Sequence, residues 1–233
     1  MPATSDNTRQ RVAVFGAAGR VGRAVTAALL HQDHHVTAVL RDPTRHELPP
    51  HPQLRAIQGD AQHPERLAPV LRTVEAVVLA VTPFTAPPQS FDGFDLDYYA
   101  KIVIAIDEVW DRPDRRLIAV GLTATLTLDS GQRVMDDPTL FPAQLRPFAE
   151  AHARELLALR TTTLDWAILT PPAGFGAQPE PATGQEYQLA AEPVTREQAT
   201  AQLSHARYAH AVAAELGTPT VHGARVAVVP RVT

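Results

Sequence analysis

A short apolar run, Arg11–Phe15, is followed by three glycines spaced three apart, in VAVFGAAGRVGRAV over residues 12–25. After Gly16, Gly19 and Gly22, the residues Val21, Val25, Ala28 and Leu29 recur on one face at helical spacing. Strand, glycine turn, helix is the order that most restricts what this chain can fold into. A first glycine permits a sharp turn, and a second lets backbone N–H groups approach a bound group with no side chain between. A third lets the helix pack close to the strand. The helix N-terminus adds free N–H donors and a positive dipole end, which together suit a phosphate. Gly16, Ala18, Gly19, Arg20, Val21 and Gly22 are therefore candidate contacts to a pyrophosphate. The plainer alternatives are a bare turn and, for Arg20, a solvated helix-start arginine.

The rest of the chain alternates in the same way. Further strands are expected at 35–40, 54–58, 75–81, 115–121 and 164–170, with helices around 65–71, 95–110 and 146–160 between them. A last helix at 205–216 and a strand at 225–229 close the order. The strands are short and apolar on both faces, as parallel strands between helix layers must be. This alternation predicts an α/β fold, a doubly wound Rossmann-like parallel sheet with helices on both faces. One domain spanning 1–233 is expected. Within it, 171–203 reads as a loop-rich substrate-side insertion with one short strand at EYQL.

Composition removes several classes. No cysteine is present, which excludes disulfides, thiolate catalysis and Cys-based zinc sites. A net charge of −4 suggests neither a nucleic-acid nor a membrane-surface partner. No apolar run approaches the ~20 residues of a membrane span. The opening MPATSDNTRQ lacks the apolar core of a signal peptide, so a cytoplasmic protein is expected, as monomer or homodimer. His34 and His35 have no carboxylates at ligand spacing, and FDGFDLDYY (91–99) lacks EF-hand spacing, so no metal site is expected. The latter reads as a helix start with acidic residues in its first turn.

The G-x-x-G-x-x-G spacing resembles the extended and atypical branches of the short-chain dehydrogenase/reductase superfamily. VLRDPTR (39–45), IQGDAQHPERL (57–67), LDWAILTPPAGF (164–175) and SHARYAHAVAAEL (204–216) continue the likeness in order. They are most similar to the NAD(P)H-binding and NmrA-like group, which includes flavin-reductase-like and sugar-epimerase-like relatives. The resemblance implies a nicotinamide dinucleotide. It also implies that Asp60, between Gly59 and Ala61, contacts adenine, where the alternative is an N-cap for the next helix. The turn Thr170-Pro171-Pro172 would line the nicotinamide pocket. Ala80, Val81 and Thr82, small residues ending the fourth strand, would pass beneath the ribose and pyrophosphate.

An acidic residue after the second strand selects NAD; here Arg41 is placed to meet a 2′-phosphate, and Arg45 could join it. NADP(H) is therefore preferred, with NAD(H) possible if Asp42 faces the ribose instead. Tyr-x-x-x-Lys, the usual proton-donating pair of the superfamily, is absent: Tyr98 and Tyr99 stand three and two before Lys101, the single lysine. In PFAEAHARELLALR (147–160), His152 occupies the lysine region and is a candidate proton donor, against a plain buried or surface histidine. In GLTATL, Gly121 borders the site and Thr123 and Thr125 are candidate catalytic hydroxyls, against local backbone bonding. Phe84, Phe91 and Phe175 could stack on a flat substrate or anchor loops, and residues 83–94 and 173–190 would form the far wall. Two expectations follow. The first is an NADP(H)-dependent oxidoreductase transferring hydride to a small flat acceptor such as a flavin, quinone or carbonyl compound. The second is a non-catalytic NAD(P)-sensing regulator of the NmrA-like type.

Overall fold

The structure is a computed structural model that describes residues 9–46, 48–84, 86, 88–176 and 186–231. Residues 177–185 of the expected far wall lie outside the described residues, as do Thr85, Pro87 and the segment 1–8. Strands β1 (Arg11–Phe15), β2 (His35–Leu40), β3 (Leu54–Gln58), β4 (Ala76–Leu79), β5 (Arg116–Val120) and β6 (Asp165–Thr170) run parallel. With β8 (Tyr187–Ala191) and β10 (Ala224–Pro230) they form one sheet of order β3-β2-β1-β4-β5-β6-β10-β8. Only β8 is antiparallel to its neighbour in that sheet. Phe15 is level with Val39 on one side and Leu79 on the other, so the carboxyl ends of β1, β2 and β4 finish together. The strand order reverses there, and that is where an open α/β sheet leaves a crevice.

Two apolar layers flank the sheet. On one face Phe15, Val77, Leu117 and Ile168 pack under α3 (Tyr98–Val109) and α4 (Arg146–Leu159), with Trp110 fully buried among them. On the other, Val12, Val14, Val78 and Leu169 pack under α1 (Arg20–His31) and α6 (His205–Gly217). A third, smaller cluster lies off the sheet's end. Leu126, Leu128, Val134, Val194 and Ala199 close on Ala227 and Val229 of β10.

The opposite end of the sheet is pinned by a buried ionic cluster. Arg116, at the start of β5, meets Asp165 at 2.9 Å and Glu215 of α6 at 3.2 Å. Glu215 also accepts from the N–H groups of Thr220 and Val221, each at 3.0 Å, and from the Thr220 hydroxyl. Four donors on one carboxylate are what its removal from water requires.

The acidic run before α3 differs from expectation. Asp95 and Asp97 lie upstream of the helix rather than in its first turn. Asp95 binds Lys101 at 2.7 Å and Asp97 binds Arg154 at 2.7 Å, so side-chain pairing fixes them instead of the helix dipole. The described residues of the 171–203 region carry more elements than expected. Beyond β8 it carries β7 (Gly174–Phe175), α5 (Arg196–Thr200) and β9 (Gln202–Leu203), elements too short for any periodicity to show. The Thr195–Gln198 capping box was the available signal for α5.

His34 is fully buried, and its Nδ1 accepts from the Gln10 N–H at 3.1 Å. Burial pushes its imidazole below the usual 6.5, with Asp33 opposing. The unfolded chain therefore binds this proton more readily than the folded one. The stabilisation is complete above the unfolded value and is lost as pH falls below it toward the lower folded value. Between about pH 7 and about pH 5, His34→Gln should flatten the decline in melting temperature relative to the parent. Parallel declines in the two proteins would mean that His34 does not carry it.

Candidate functional site

The glycine turn closes on backbone. Gly16 adopts φ +77°, and a Cβ there would lie 2.3 Å from the Ala80 carbonyl oxygen. A Cβ on Gly22 would lie 2.2 Å from the Gly16 carbonyl oxygen. Gly19 is different: its nearest obstacle, the Gly16 carbonyl oxygen, is 3.3 Å away, and it borders open space as the N-cap of α1. Helix geometry leaves the N–H groups of Arg20, Val21 and Gly22 without intrahelical acceptors. Bare backbone beside unpaired donors makes a cradle for an anionic group.

A cavity of about 480 Å³ runs from this cradle along the carboxyl ends of the strands. It brings together Gly19, Arg20, Val21, Ala80, Val81, Thr82, Gly121, Thr123, His152, Pro171 and Pro172. Its far side is apolar, with Val134, Leu140 and Phe141 from the β5–α4 connection, Phe148 from α4, and Phe175. Gly16, Ala18 and Gly22 sit behind the wall in the turn. Thr125 and Thr170 are not in the wall either: Thr125 is buried and donates to the Leu122 carbonyl at 2.8 Å, while the buried Thr170 hydroxyl has no hydrogen-bond partner among the described residues. Thr123 donates to the Pro171 carbonyl at 2.6 Å, tying the turn after β5 to the turn after β6. Its proton is committed to that tie. Phe84 and Phe91 pack edge-on at 5.8 Å, each against Phe94 as well, and anchor their loop.

Arg41, Arg45, Gly59, Asp60 and Ala61 form a second group outside this cavity, at the carboxyl ends of β2 and β3. Asp42 is turned into its own loop. It accepts from the Thr44 hydroxyl at 2.6 Å and the Thr44 N–H at 3.0 Å, and pairs with Arg45 at 3.0 Å. The Thr44 hydroxyl leads the contacts that hold its carboxyl below the usual carboxylate value. Asp60 accepts from the Gln62 N–H at 3.0 Å, an Asx turn at the end of β3. Burial, then the Asp60 charge, push the Tyr98 phenol up, with Arg41 opposing. Tyr98, Arg41 and Asp60 therefore share one neighbourhood.

His152 is the most constrained polar group of the cavity. It is 7% exposed, stacks on Tyr99 at 4.0 Å and meets Phe148 edge-on at 4.9 Å. The Tyr99 hydroxyl lies 3.4 Å from the Val81 carbonyl oxygen. Burial first, then the Glu155 charge, raise Tyr99 well above its usual 10. That phenol stays protonated and is a poor acid. Lys101 takes no part in the wall; its exposed ammonium binds Asp95.

Tyr99, Phe141, Phe148 and His205 also line the cavity, and none was singled out from sequence as a site residue. The signal for Tyr99 and Phe148 was their place at the starts of the two helices that follow the fourth and fifth strands. Phe141 and His205 reach the wall through loop closure, which leaves no local trace.

Comparison with known proteins decides the class. The NAD(P)H-binding family matches residues 16–219. The chain belongs to this family. The Bacillus subtilis protein YwnB, named as uncharacterized, is 27% identical to this chain over 225 residues, covering 94% of this chain and 98% of the other. A provisionally named NADH-flavin reductase of Streptococcus pneumoniae superposes with a TM-score of 0.77 at 26% identity, covering 95% of this chain and 100% of that one. A provisionally named epimerase of Bacteroides thetaiotaomicron gives a TM-score of 0.79 at 23% identity over 97% and 99%, and shares the fold. As an NAD(P)H-binding chain, the protein has in Gly19 and the start of α1 the bare, donor-rich backbone that a pyrophosphate needs. Among the described residues no cluster of His, Asp or Glu could hold a metal ion, and no helix is long and apolar enough to cross a membrane.

Proposed function

We propose that the protein is an NADPH-dependent oxidoreductase that reduces a small flat acceptor, a flavin, quinone or carbonyl compound, without a tyrosine–lysine pair. The observation that carries this is the cavity itself, which joins the glycine cradle to an apolar, aromatic far wall with His152 between them. The likeness to a protein named as an NADH-flavin reductase supports the oxidoreductase part of this reading, while the choice of NADPH rests on Arg41 and Asp42. The reduced nicotinamide, when bound, supplies the hydride. The chain does the rest. Gly19, Arg20 and Val21 hold the pyrophosphate, Ala80 to Thr82 leave room beneath the ribose, and Asp60 reaches adenine. Gly121, Thr123 and the Thr170–Pro172 turn shape the nicotinamide end. Phe148, Phe141 and Phe175 exclude water around the acceptor, and His152 provides its proton. Residues 1–233 act as one cofactor-binding unit, with 171–203 as its substrate side.

The preference for NADPH rests on Arg41 and on the fixed state of Asp42. Asp42 already accepts from Thr44 and pairs with Arg45, which favours Arg41 as the group that meets the ribose. A guanidinium at the end of β2 suits a 2′-phosphate. Arg41→Ala should weaken NADPH binding about 10-fold or more and leave NADH binding within about 2-fold, read by fluorescence titration. Equal losses for both nucleotides, or tighter NADH binding by the parent, would overturn the preference.

The activity is tested by following NADPH absorbance with FMN, FAD, riboflavin and menadione as acceptors. Turnover with one of them is expected. Firm NADPH binding with no turnover on any acceptor would favour the second reading, an NADP-sensing regulator of the NmrA-like type, which the missing Tyr-x-x-x-Lys pair suits equally.

A further inference from the structure

A buried carboxylate stands behind the cavity wall, against His152. Glu155, one turn beyond His152 on α4, is 2% exposed, and its Oε2 lies 3.2 Å from His152 Nδ1. Among the described residues that is its one hydrogen bond to a side chain. A carboxylate taken out of water needs a donor, and here the imidazole is the donor at hand. The ring cannot turn away, because Tyr99 covers its face at 4.0 Å and Phe148 closes on its edge at 4.9 Å. The other ring nitrogen, Nε2, makes no hydrogen bond to a described residue, and His152 is part of the cavity wall.

We infer that Glu155 is a positioning residue that holds His152 as its Nδ1–H tautomer and so keeps the Nε2 lone pair for the cavity. This rests on the reductase reading for its use, not for its geometry. In that use, Nε2 takes a proton from a hydronium ion or buffer acid at the cavity mouth, whose conjugate base returns to solvent. As the reduced nicotinamide delivers hydride, the Nε2–H bond breaks and the proton passes to the oxygen or nitrogen of the acceptor. The acceptor gains two electrons and one proton from hydride and one proton from the ring. The ring returns to its neutral Nδ1–H form. Throughout, the Nδ1–H bond to Glu155 stays made, so the carboxylate orients the ring and offsets the charge it carries between the two proton transfers.

The test uses the full chain labelled with 15N-histidine, first without nucleotide. The two ring nitrogens of His152, assigned by comparison with His152→Gln, should show Nδ1 protonated and Nε2 bare in the neutral ring. Glu155→Met keeps the volume and removes the acceptor. It should fold, bind NADPH within about 2-fold of the parent, and move the proton of His152 to Nε2, the form imidazole prefers unaided. Glu155→Gln, whose amide oxygen can still accept, should restore the Nδ1–H signature. With the best acceptor, Glu155→Met should lower kcat 10-fold or more with KM changed less than 2-fold, and Glu155→Gln should recover part of the loss.

A parent ring protonated at Nε2, or a tautomer indifferent to Glu155→Met, overturns the positioning role whatever the activity. A changed tautomer with unchanged kcat overturns the proton path. If no acceptor turns over but the tautomer shifts as stated, Glu155 still positions His152 and it is the reductase reading that fails.

Discussion

Gly19→Ala is expected to fold like the parent and to bind NADPH about 10-fold to 100-fold more weakly, while Gly22→Ala is expected to lose the fold's stability. The two residues are three apart in one motif, and their surroundings separate them. At Gly22 a methyl group would enter 2.2 Å from the Gly16 carbonyl oxygen, and backbone cannot give way cheaply. Overpacking of this kind costs about 1–3 kcal/mol or more, a large fraction of a domain's stability. At Gly19 the nearest atom is the Gly16 carbonyl oxygen at 3.3 Å, which has to shift by only a few tenths of an ångström, so a methyl group costs the apo protein far less than at Gly22. It points instead into the space where a pyrophosphate would approach the start of α1. Paired measurements decide this: thermal melts without nucleotide and titration with NADPH. If Gly19→Ala binds as tightly as the parent, the turn is structural and the cradle lies elsewhere.

The second large effect is at the far end of the sheet. Removing Glu215 would leave Arg116, 6% exposed, with Asp165 as its carboxylate partner, and would orphan the N–H groups of Thr220 and Val221. Breaking one side of a buried pair costs about 3–5 kcal/mol, because the remaining charge stays out of water. At about 2–4 °C per kcal/mol for a chain of this size, Glu215→Ala should melt about 10 °C lower. NADPH affinity, measured below that transition, should be unchanged, since the cluster lies at the amino ends of β5 and β6. A melting point within about 2 °C of the parent would show that the cluster contributes little.

The parallel sheet was legible because its inner strands are short and apolar on both faces, whereas the edge strand β3 is largely exposed, and because the glycines mark one turn without ambiguity. Strand ends were less so. Val81 and Gly121 continue the apolar or small-residue runs of β4 and β5 but peel away to line the cavity, which periodicity cannot distinguish from one more strand residue. The cofactor side could be read from local order, since it is built from residues adjacent in sequence. The acceptor side could not. Phe141, Phe148 and His205 converge from separate elements through long connections, and their side-chain types are equally suited to anchoring a loop. Phe84 and Phe91 show this: in sequence they are as plausible for stacking as Phe175, but they pack on each other. Glu155 was hidden for a different reason, since a glutamate on an amphipathic helix reads as solvated until its burial is known.

The small cluster formed by Leu126, Leu128, Val134, Val194 and Ala199 against the end of β10 has a bearing on how such a protein can diversify. It supports the connection that carries Val134, Leu140 and Phe141 to the cavity, and it shares no residue with the layer beneath the glycine turn. The part of the acceptor wall carried by the 122–145 connection therefore stands on a foundation of its own. Substitutions, insertions or wholesale exchange in the 122–145 connection can reshape what the pocket admits while the nucleotide's berth keeps its form. Selection is free to try new chemistry there without renegotiating the glycine turn.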